Sequence, residues 1–475
     1  MTYILLQFSN FLVMRKFKLK RERGKSRPSL LMLSLSLSVL IHLSACSTPP
    51  AITSTLQPSI NPTEIPPSNN VDETEEVIYD IADPEETQSQ RETAEYYNKF
   101  GLDTVVSIWY SQDDDGLLAL TEAIDIYGRL IPGAKIIITQ IPYDDLFDRY
   151  LAAVNSGQGP TILMGEGAWG PLLYEQGVIA DLKDKTSYQI TSYLNKAAGD
   201  TVSYRNSLIG LPYSIRGIVL YQNSSIIASN PENIIELISL SQTATQGRNI
   251  GAYLEREDIY AYPMMTACGG YLFNSEGFPA FNNAMGLCWI DLLRSFEEAG
   301  PTSFGSNDDY LKFREGRVGL IFEGTWRMNE LYENLEDNLK IIPWPEYKNH
   351  RMSGYLWTEN IYINPNANED ETQAALSFSE FLLTPEIQRI FAQAGKIPSI
   401  TNLGGENSLI NQAMQNLSNA TPYPSHPEMT FYWERMNIAL ENILFGNENP
   451  SDVLQKASVE IMESIKNSEI NRENY

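Results

Sequence analysis

The sequence predicts an α/β protein divided into two or more compact lobes, and three features of the chain point that way. Its 475 residues exceed what one hydrophobic core usually serves. With 43% apolar and 11% aromatic residues, it carries far more apolar side chain than a disordered chain does. From residue 104 onward, β-branched runs of strand length alternate with segments of helical period, the pattern of βαβ units and of a parallel sheet covered on both faces.

The elements follow in order. Residues 104–110 (TVVSIWY) form a first strand, closed by Ser111-Gln112-Asp113-Asp114-Asp115-Gly116. Apolar residues at 117, 120, 124, 127 and 131 then predict a helix over 117–131, which Pro132-Gly133 stops. Residues 134–139 (AKIIIT) are a second strand. Residues 143–155 are a second helix with Leu146, Tyr150 and Val154 on one face, ended by Ser156-Gly157-Gln158-Gly159-Pro160. Residues 161–164 (TILM) are a short third strand. Farther on, 374–383 and 385–394 form a helix pair, with Thr384 placed to cap the second helix and Pro385 in its first turn. No internal repeat of fixed period is present.

Charge is distributed unevenly. The chain holds 34 basic and 60 acidic side chains, a net −26. Eight of the basic residues, Arg15 to Arg27, and one acid, Glu22, precede residue 28, so residues 46–475 carry 26 basic and 59 acidic groups, a net −33. Such a body repels phosphate backbones, whose protein affinity comes from clustered Lys and Arg, and no nucleic-acid partner is expected. The basic block leads into the apolar run 30–43 and then Leu43-Ser44-Ala45-Cys46, the layout of a secretory signal peptide over residues 1–45. The run, interrupted by several Ser, falls short of the ~20 apolar residues a membrane span needs. Leu-Ser-Ala-Cys resembles the bacterial lipobox, which implies a lipid on Cys46 that anchors the mature chain to a membrane. Residues 46–100 hold Pro49, Pro50, Pro58, Pro62, Pro66, Pro67 and Pro84 among Ser, Thr, Asn and Glu, and read as a disordered tether. A flexible segment of about 50 residues has an r.m.s. reach of roughly 40 Å.

Several stretches of the body resemble the extracellular solute-binding proteins of ABC importers, in the sugar and oligosaccharide branch that includes the maltose-binding type. Residues 150–182 resemble that family's helix, Gly-x-x-Pro turn, strand and aromatic loop, and 207–223 (SLIGLPYSIRGIVLYQN) its Gly-Leu-Pro-Tyr crossing strand. Residues 269–282 resemble its Gly-Gly hairpin, 313–326 (FREGRVGLIFEGTW) its strand and Gly-x-Trp turn, and 378–398 its helix pair. One departure is Thr161, where the family's turn usually has Asp after Pro; this moves that carboxylate's role to Glu166. The resemblance implies a type II periplasmic-binding-protein fold: two α/β lobes, residues 101–214 plus 358–400 and 215–357 plus 401–475, joined by a hinge around a ligand cleft. It implies a monomer that takes a small-molecule ligand, a carbohydrate, and delivers it to the transmembrane subunits of a permease without any cofactor.

The residues themselves support a site at the strand ends, since ligands collect at the carboxyl ends of parallel strands and at lobe interfaces. Trp109 precedes Asp113, Glu166 lies near Trp169, Tyr213 precedes Arg216, Glu323 precedes Trp326, and Trp357 precedes Glu359. Sugar rings need this mixture: their C–H faces bury against flat aromatic rings, and an unpaired buried hydroxyl costs about 1–3 kcal/mol. Tyr271 in the Gly-Gly hairpin joins the set. So does Tyr432, which resembles an aromatic contact some family members carry near the C-terminus, although Phe431, Met436 and Leu440 mark a helical face beside it. Trp289, among Leu287, Ile290 and Leu293, is core, and Trp344 between two prolines fits either role. The acids at 113–115 invite a calcium reading, but the loop spacing with a terminal Glu is missing, and helix capping accounts for them. Cys268 and Cys288 can pair as a disulfide or stand as two buried thiols. No nucleophile or metalloprotease motif is present, and no enzyme is expected. A glycoside hydrolase, which needs only two carboxylates, is the minority reading, and a polyamine is the rival ligand within the binding class.

Overall fold

The computed structural model describes residues 76–78, 104–111, 114–187, 191–274, 276–401, 403, 408–424 and 429–473. The signal peptide, Cys46 and Asp113 lie outside the described residues, as does most of the segment 46–100.

The first half begins with four strands, β1 (Glu76–Ile78), β2 (Val105–Tyr110), β3 (Lys135–Gln140) and β4 (Ile162–Glu166). β2 lies parallel between β3 and β4, with α1 (Asp114–Leu130) and α2 (Tyr143–Asn155) as the crossovers. The predicted start of α1 was three residues late, because its first turn is polar and carries no apolar marker. α2 has the predicted bounds and buries Leu146, Tyr150 and Val154 as read. β1 falls within the stretch read as a tether: Glu76–Ile78 pairs antiparallel with β3, occupying an edge that would otherwise leave ladder groups unpaired.

Then come α3 (Gly170–Glu175), α4 (Lys196–Thr201), the hairpin β5 (Ser203–Tyr204) and β6 (Ser207–Leu208), and the long strand β7 (Leu211–Asn223). The second half contains α5 (Ile234–Ala244), β8 (Ile250–Glu255), α6 (Asp258–Ala267), α7 (Ala284–Ser295), β9 (Thr302–Ser303), α8 (Asp308–Arg314) and β10 (Val318–Gly324). It continues through α9 (Met328–Leu335), β11 (Leu339–Ile342), β12 (Glu346–Tyr347) and β13 (His350–Arg351). The chain returns along β14 (Tyr355–Ile363) to α10 (Glu369–Leu382), α11 (Pro385–Gln393) and β15 (Ile397–Pro398). It ends with α12 (Leu409–Asn416), β16 (Thr421–Pro422), α13 (Met429–Leu444) and α14 (Pro450–Glu473). The capping box of α10, Asn368 with Glu371, was not read from the sequence. Thr384 precedes α11 as predicted, but its hydroxyl donates to the Phe381 carbonyl rather than capping the helix.

β7 joins the halves. Its residues 211–217 pair with β14, which pairs in turn with β4, whereas residues 218–223 pair with β10 and β11. The path β1-β3-β2-β4-β14-β7-β10-β8-β9 therefore contains two parallel groups bridged by antiparallel crossing strands. One core gathers Ile108, Leu120, Tyr127, Met164, Tyr213, Phe378 and Phe391; another gathers Leu220, Leu254, Trp289, Phe322, Tyr355 and Leu440. Trp289 is fully buried, its Nε1 donating to the Ala261 carbonyl at 2.9 Å, and Trp344 is buried against Phe322.

Two sequence candidates sit inside the second half rather than on a ligand surface. Tyr432 is 1% exposed, packs edge-on against Phe273 and Phe281, and donates its hydroxyl to the Gly277 carbonyl. The helical face marked by Met436 and Leu440 carries it into the core. Glu323 is buried at the end of β10, where its Oε1 accepts from the Gly324 amide at 2.7 Å. Burial, with Glu323 next in effect, pushes the Asp309 carboxyl of α8 up to about 8.

Cys268, at the end of α6, and Cys288 in α7 form a disulfide closing a loop of 20 residues. Replacing both by Ser should lower unfolding free energy by about 2–4 kcal/mol in urea titration, the usual value for a loop of this size. Asp309 holds its proton more tightly folded than unfolded, so stability falls as pH rises from the unfolded carboxyl pKa to about 8. Asp309→Asn should therefore leave thermal unfolding at pH 4 nearly unchanged. At pH 9 it should stabilise the fold by at least about 1.4 kcal/mol, the worth of one decade in proton affinity.

Candidate functional site

A cleft of about 310 Å³ opens where β4, β7 and β14 run side by side and faces the turn after β10. Strand register builds its floor. Glu359 of β14 stands opposite Glu166 at the carboxyl end of β4 and opposite Ser214 of β7, and Trp357 stands opposite Arg216. Arg216 donates through an Nη to Glu166 Oε2 at 2.5 Å, Ser214 Oγ donates to Glu359 Oε2 at 2.5 Å, and Lys396 Nζ lies 3.7 Å from Glu359 Oε1. The result is two carboxylates and two cations linked across three strands and a loop.

A bulge shapes this floor. Opposite Glu359 and Asn360, β7 contains one extra residue, Tyr213, beside Pro212, which has no amide hydrogen to give to a ladder. The carbonyls set loose there are recovered by side chains: Gln388 Nε2 donates to the Tyr213 carbonyl at 2.9 Å and Ser399 Oγ to that of Pro212 at 2.6 Å. The Tyr213 ring is thereby held in the core against Phe391, while its hydroxyl helps to hold Glu359.

The charges are tuned by their surroundings. Burial raises the Glu166 carboxyl above the usual carboxylate range, with Arg216 acting in the opposite sense. Burial also works against ionised Glu359, but Lys396, Arg216 and the Ser214 hydrogen bond outweigh it and bring that carboxyl below the usual range. Tyr143, at the start of α2, hydrogen-bonds Glu166; burial and that carboxyl raise its hydroxyl. Arg216, itself 36% exposed, keeps its proton more firmly than a free guanidinium, because Glu166 and Glu359 overcome the cost of burying the charge.

Aromatic rings flank the floor. Trp169 sits in the 3-10 turn after β4, 7% exposed and packed by Tyr143 and Phe147 at 5.9 and 5.4 Å. Trp326 follows β10 and is 42% exposed, lying so close over Gly324 that a Cβ there would come within 2.1 Å of its ring. Only glycine admits that approach. Across from Trp326, the loop 394–397 presents Gly395 at φ +77°, its missing Cβ position 2.5 Å from Asn329 Nδ2 of α9. This contact joins the loop after α11, rooted in the first core by Ile387 and Phe391, to a helix rooted in a further cluster through Met328, Leu331 and Leu335, to which Ile397 at the end of the loop also belongs.

Of the residues named from sequence, the structure brings Glu166, Trp169, Tyr213, Arg216, Trp326 and Glu359 to one cavity. Trp357 neighbours it through Trp326, with centroids 5.8 Å apart, without lining it. Trp109 packs half-buried against the cluster of Leu146, Tyr150 and Trp169, and Tyr271 is 61% exposed away from the cavity wall. Tyr143, Asp115, Asn329 and Lys396 line the cleft and were not read from sequence. Lys396 follows a glycine turn with no pattern around it; Tyr143 had a visible signal, a polar aromatic opening a helix straight after a strand. Among the described residues, no group of three or more His, Cys, Asp or Glu could hold a metal ion, and no helix is long and apolar enough to cross a membrane.

The chain is similar to known proteins over most of its body. It is 22% identical over 347 residues to the galactooligosaccharide-binding protein of Bacillus subtilis, covering 68% of this chain and 81% of that one. It is 21% identical over 337 residues to a maltooligosaccharide ABC transporter solute-binding lipoprotein of Streptococcus pneumoniae, covering 66% and 78%. The extracellular solute-binding protein of Staphylococcus aureus, solved in complex with maltose, superposes with a TM-score of 0.69 at 20% identity, over 76% of this chain and 98% of that one. The fold is thus the two-lobed type II periplasmic-binding-protein architecture expected from the sequence. The profile of the bacterial extracellular solute-binding proteins matches residues 122–411, more than half of the sequence, and the chain belongs to that family.

Proposed function

We propose that this protein is the substrate-binding component of an ABC importer, which captures a sugar or short oligosaccharide by closing its lobes and passes it to a membrane permease. The observation that carries this reading is the cleft floor, where each carboxylate already has its cation and hydrogen-bonding groups stand beside the Trp169 and Trp326 rings. A neutral polyhydroxy ligand fits such a surface: its hydroxyls take up donors and acceptors that are fixed in place, and its C–H faces cover the rings. A polyamine would need carboxylates free of partners, whereas Glu166 and Glu359 are engaged by Arg216 and Lys396. A glycoside hydrolase places its two carboxyls on either side of the scissile bond; here Glu166 and Glu359 sit opposite each other on adjacent strands of one floor, which suits binding without turnover. The oligosaccharide names of the curated relatives support the same ligand class. Closure follows from ligand contacts made by both lobes at once, since a ligand shifts an equilibrium only by its differential affinity. The protein acts as a monomer outside the cytoplasm, held at the membrane by a lipid on Cys46.

Thermal-shift and calorimetric titration with maltose, maltotriose, galactobiose, putrescine and spermidine test the assignment. A saccharide at about 100 times its Kd should stabilise the protein by about 2.7 kcal/mol. Stabilisation by the amines alone would sink it. Trp326→Ala should weaken saccharide binding about tenfold or more while the free protein unfolds at nearly its original temperature, because the ring is substantially exposed. Gly395→Ala should strain the left-handed turn and wedge Asn329 away. Its effect should be a weaker ligand affinity and a smaller ligand-induced drop in radius of gyration by X-ray scattering.

A further inference from the structure

Glu323 is buried and does not line the cleft, yet it stands one residue before the turn that carries Trp326. β10 ends at Gly324, and Trp326 is the middle residue of the 3-10 turn Thr325–Arg327 that follows. Three hydrogen bonds hold this turn from beneath. The Gly324 amide donates to Glu323 Oε1 at 2.7 Å, the Tyr221 hydroxyl donates to the Gly324 carbonyl at 3.3 Å, and the Gly217 amide donates to Thr325 Oγ1 at 3.1 Å. Strand register makes them converge: Val219 of β7 stands opposite Glu323, and Tyr221, two residues on, shares its face.

The partners of Gly324 are built into the fold. Tyr221 is fully buried, its ring 6.3 Å from that of Phe313 in the cluster that also holds Met328 and Leu331 of α9. Burial, with the Glu323 charge acting in the same sense, raises its hydroxyl well above the usual tyrosine range, so it stays a donor. Gly217 is paired with Leu356 of β14, whereas Tyr221 is paired with β10 and β11, so the turn is tied to β7 on both sides of the point where that strand passes from one ladder to the other. A buried carboxyl and a buried phenol carry a desolvation cost that apolar side chains avoid. Here both act on the backbone of one residue, and it is the residue over which the Trp326 ring lies in close contact.

We propose that Glu323 and Tyr221 are positioning residues for the ligand: by fixing the amide and the carbonyl of Gly324 they set the height and tilt of the Trp326 ring before a saccharide arrives, without touching the saccharide themselves. The inference rests on the saccharide reading of the cleft, in which the Trp326 ring covers a C–H face of the sugar. A ring fixed in advance does not have to be ordered on binding, which leaves more of the contact energy for affinity.

Calorimetric titration of Tyr221→Phe, Glu323→Met and Glu323→Gln tests this with the tightest binder among maltose, maltotriose and galactobiose. Tyr221→Phe, which keeps the packed ring, should lose about threefold to tenfold in affinity, the range of one hydrogen bond. Glu323→Met, of similar length but without a carboxyl oxygen, should lose at least as much, and Glu323→Gln, which keeps an oxygen for the Gly324 amide, should recover most of it. In a Trp326→Ala background, neither Tyr221→Phe nor Glu323→Met should change affinity by more than about twofold. Losses that persist in full there would show that the two residues act elsewhere and would overturn the assignment. Fluorine NMR of protein labelled with fluorotryptophan reads the ring without ligand, the Trp326 resonance being identified by its loss in Trp326→Ala. That resonance should shift or broaden in Tyr221→Phe and in Glu323→Met; a resonance unchanged in both would overturn the positioning role. A wild type that binds none of the sugars would sink the saccharide reading instead, while the resonance would still decide whether the ring is held from beneath.

Discussion

One strand belongs to two sheets. β7 gives its first seven residues to the ladder of β14 and its last six to β10 and β11, so the backbone groups of both halves depend on its path. A strand paired on either side of a handover cannot slide without exposing hydrogen-bonding groups that are expensive to leave unmade. Arg216 lies at that point, with Ser214 and the Tyr213 bulge just before it. The bulge aims Tyr213 into the core, and the Gln388 and Ser399 side chains recover the carbonyls it disturbs, so the irregularity is supported from a separate helix and from the bend after β15.

The electrostatics of the cleft follow from the same arrangement. A body with a strong acidic excess has carboxylates to spare, yet the two on the floor are each joined to a cation by strand register or by the α11–β15 loop. Partial burial makes these pairs costly to form and costlier to break, because removing one member would strand the other's charge. Their value is therefore geometric: they fix donors and acceptors in place before a ligand arrives. The excess charge of the whole chain, by contrast, acts on solubility and on which surfaces the protein avoids.

Much of the architecture was legible in the sequence where punctuation is strong. α2 was delimited correctly because a proline precedes it and a Ser-Gly pair ends it, and its buried face was a clean helical repeat. Glu166 and Trp326 were legible as polar and aromatic residues at the ends of β4 and β10, where an open α/β fold gathers ligands, whereas Arg216 and Glu359, also read as strand-end residues, lie in the middle of the long crossing strands β7 and β14. Tyr432 shows the limit. Its neighbours carried both a family-like motif and a helical apolar face, and the burial of that face in the second core decided its position. Lys396 shows the opposite limit: a single basic residue after a glycine turn looks like any solvated loop until the fold sets it beside Glu359.

The sequence by itself determined the local periods, the chain punctuation and the order of strands and helices, because these depend on residues a few positions apart. The tertiary structure alone decided that the end of β4 meets the middles of β7 and β14. Glu166 and Arg216 are 50 residues apart and Ser214 and Glu359 are 145 apart, and they become neighbours through the lateral register of β4, β14 and β7. Register is set by burying the faces of both sheets at once, a collective condition that no single segment of the chain contains.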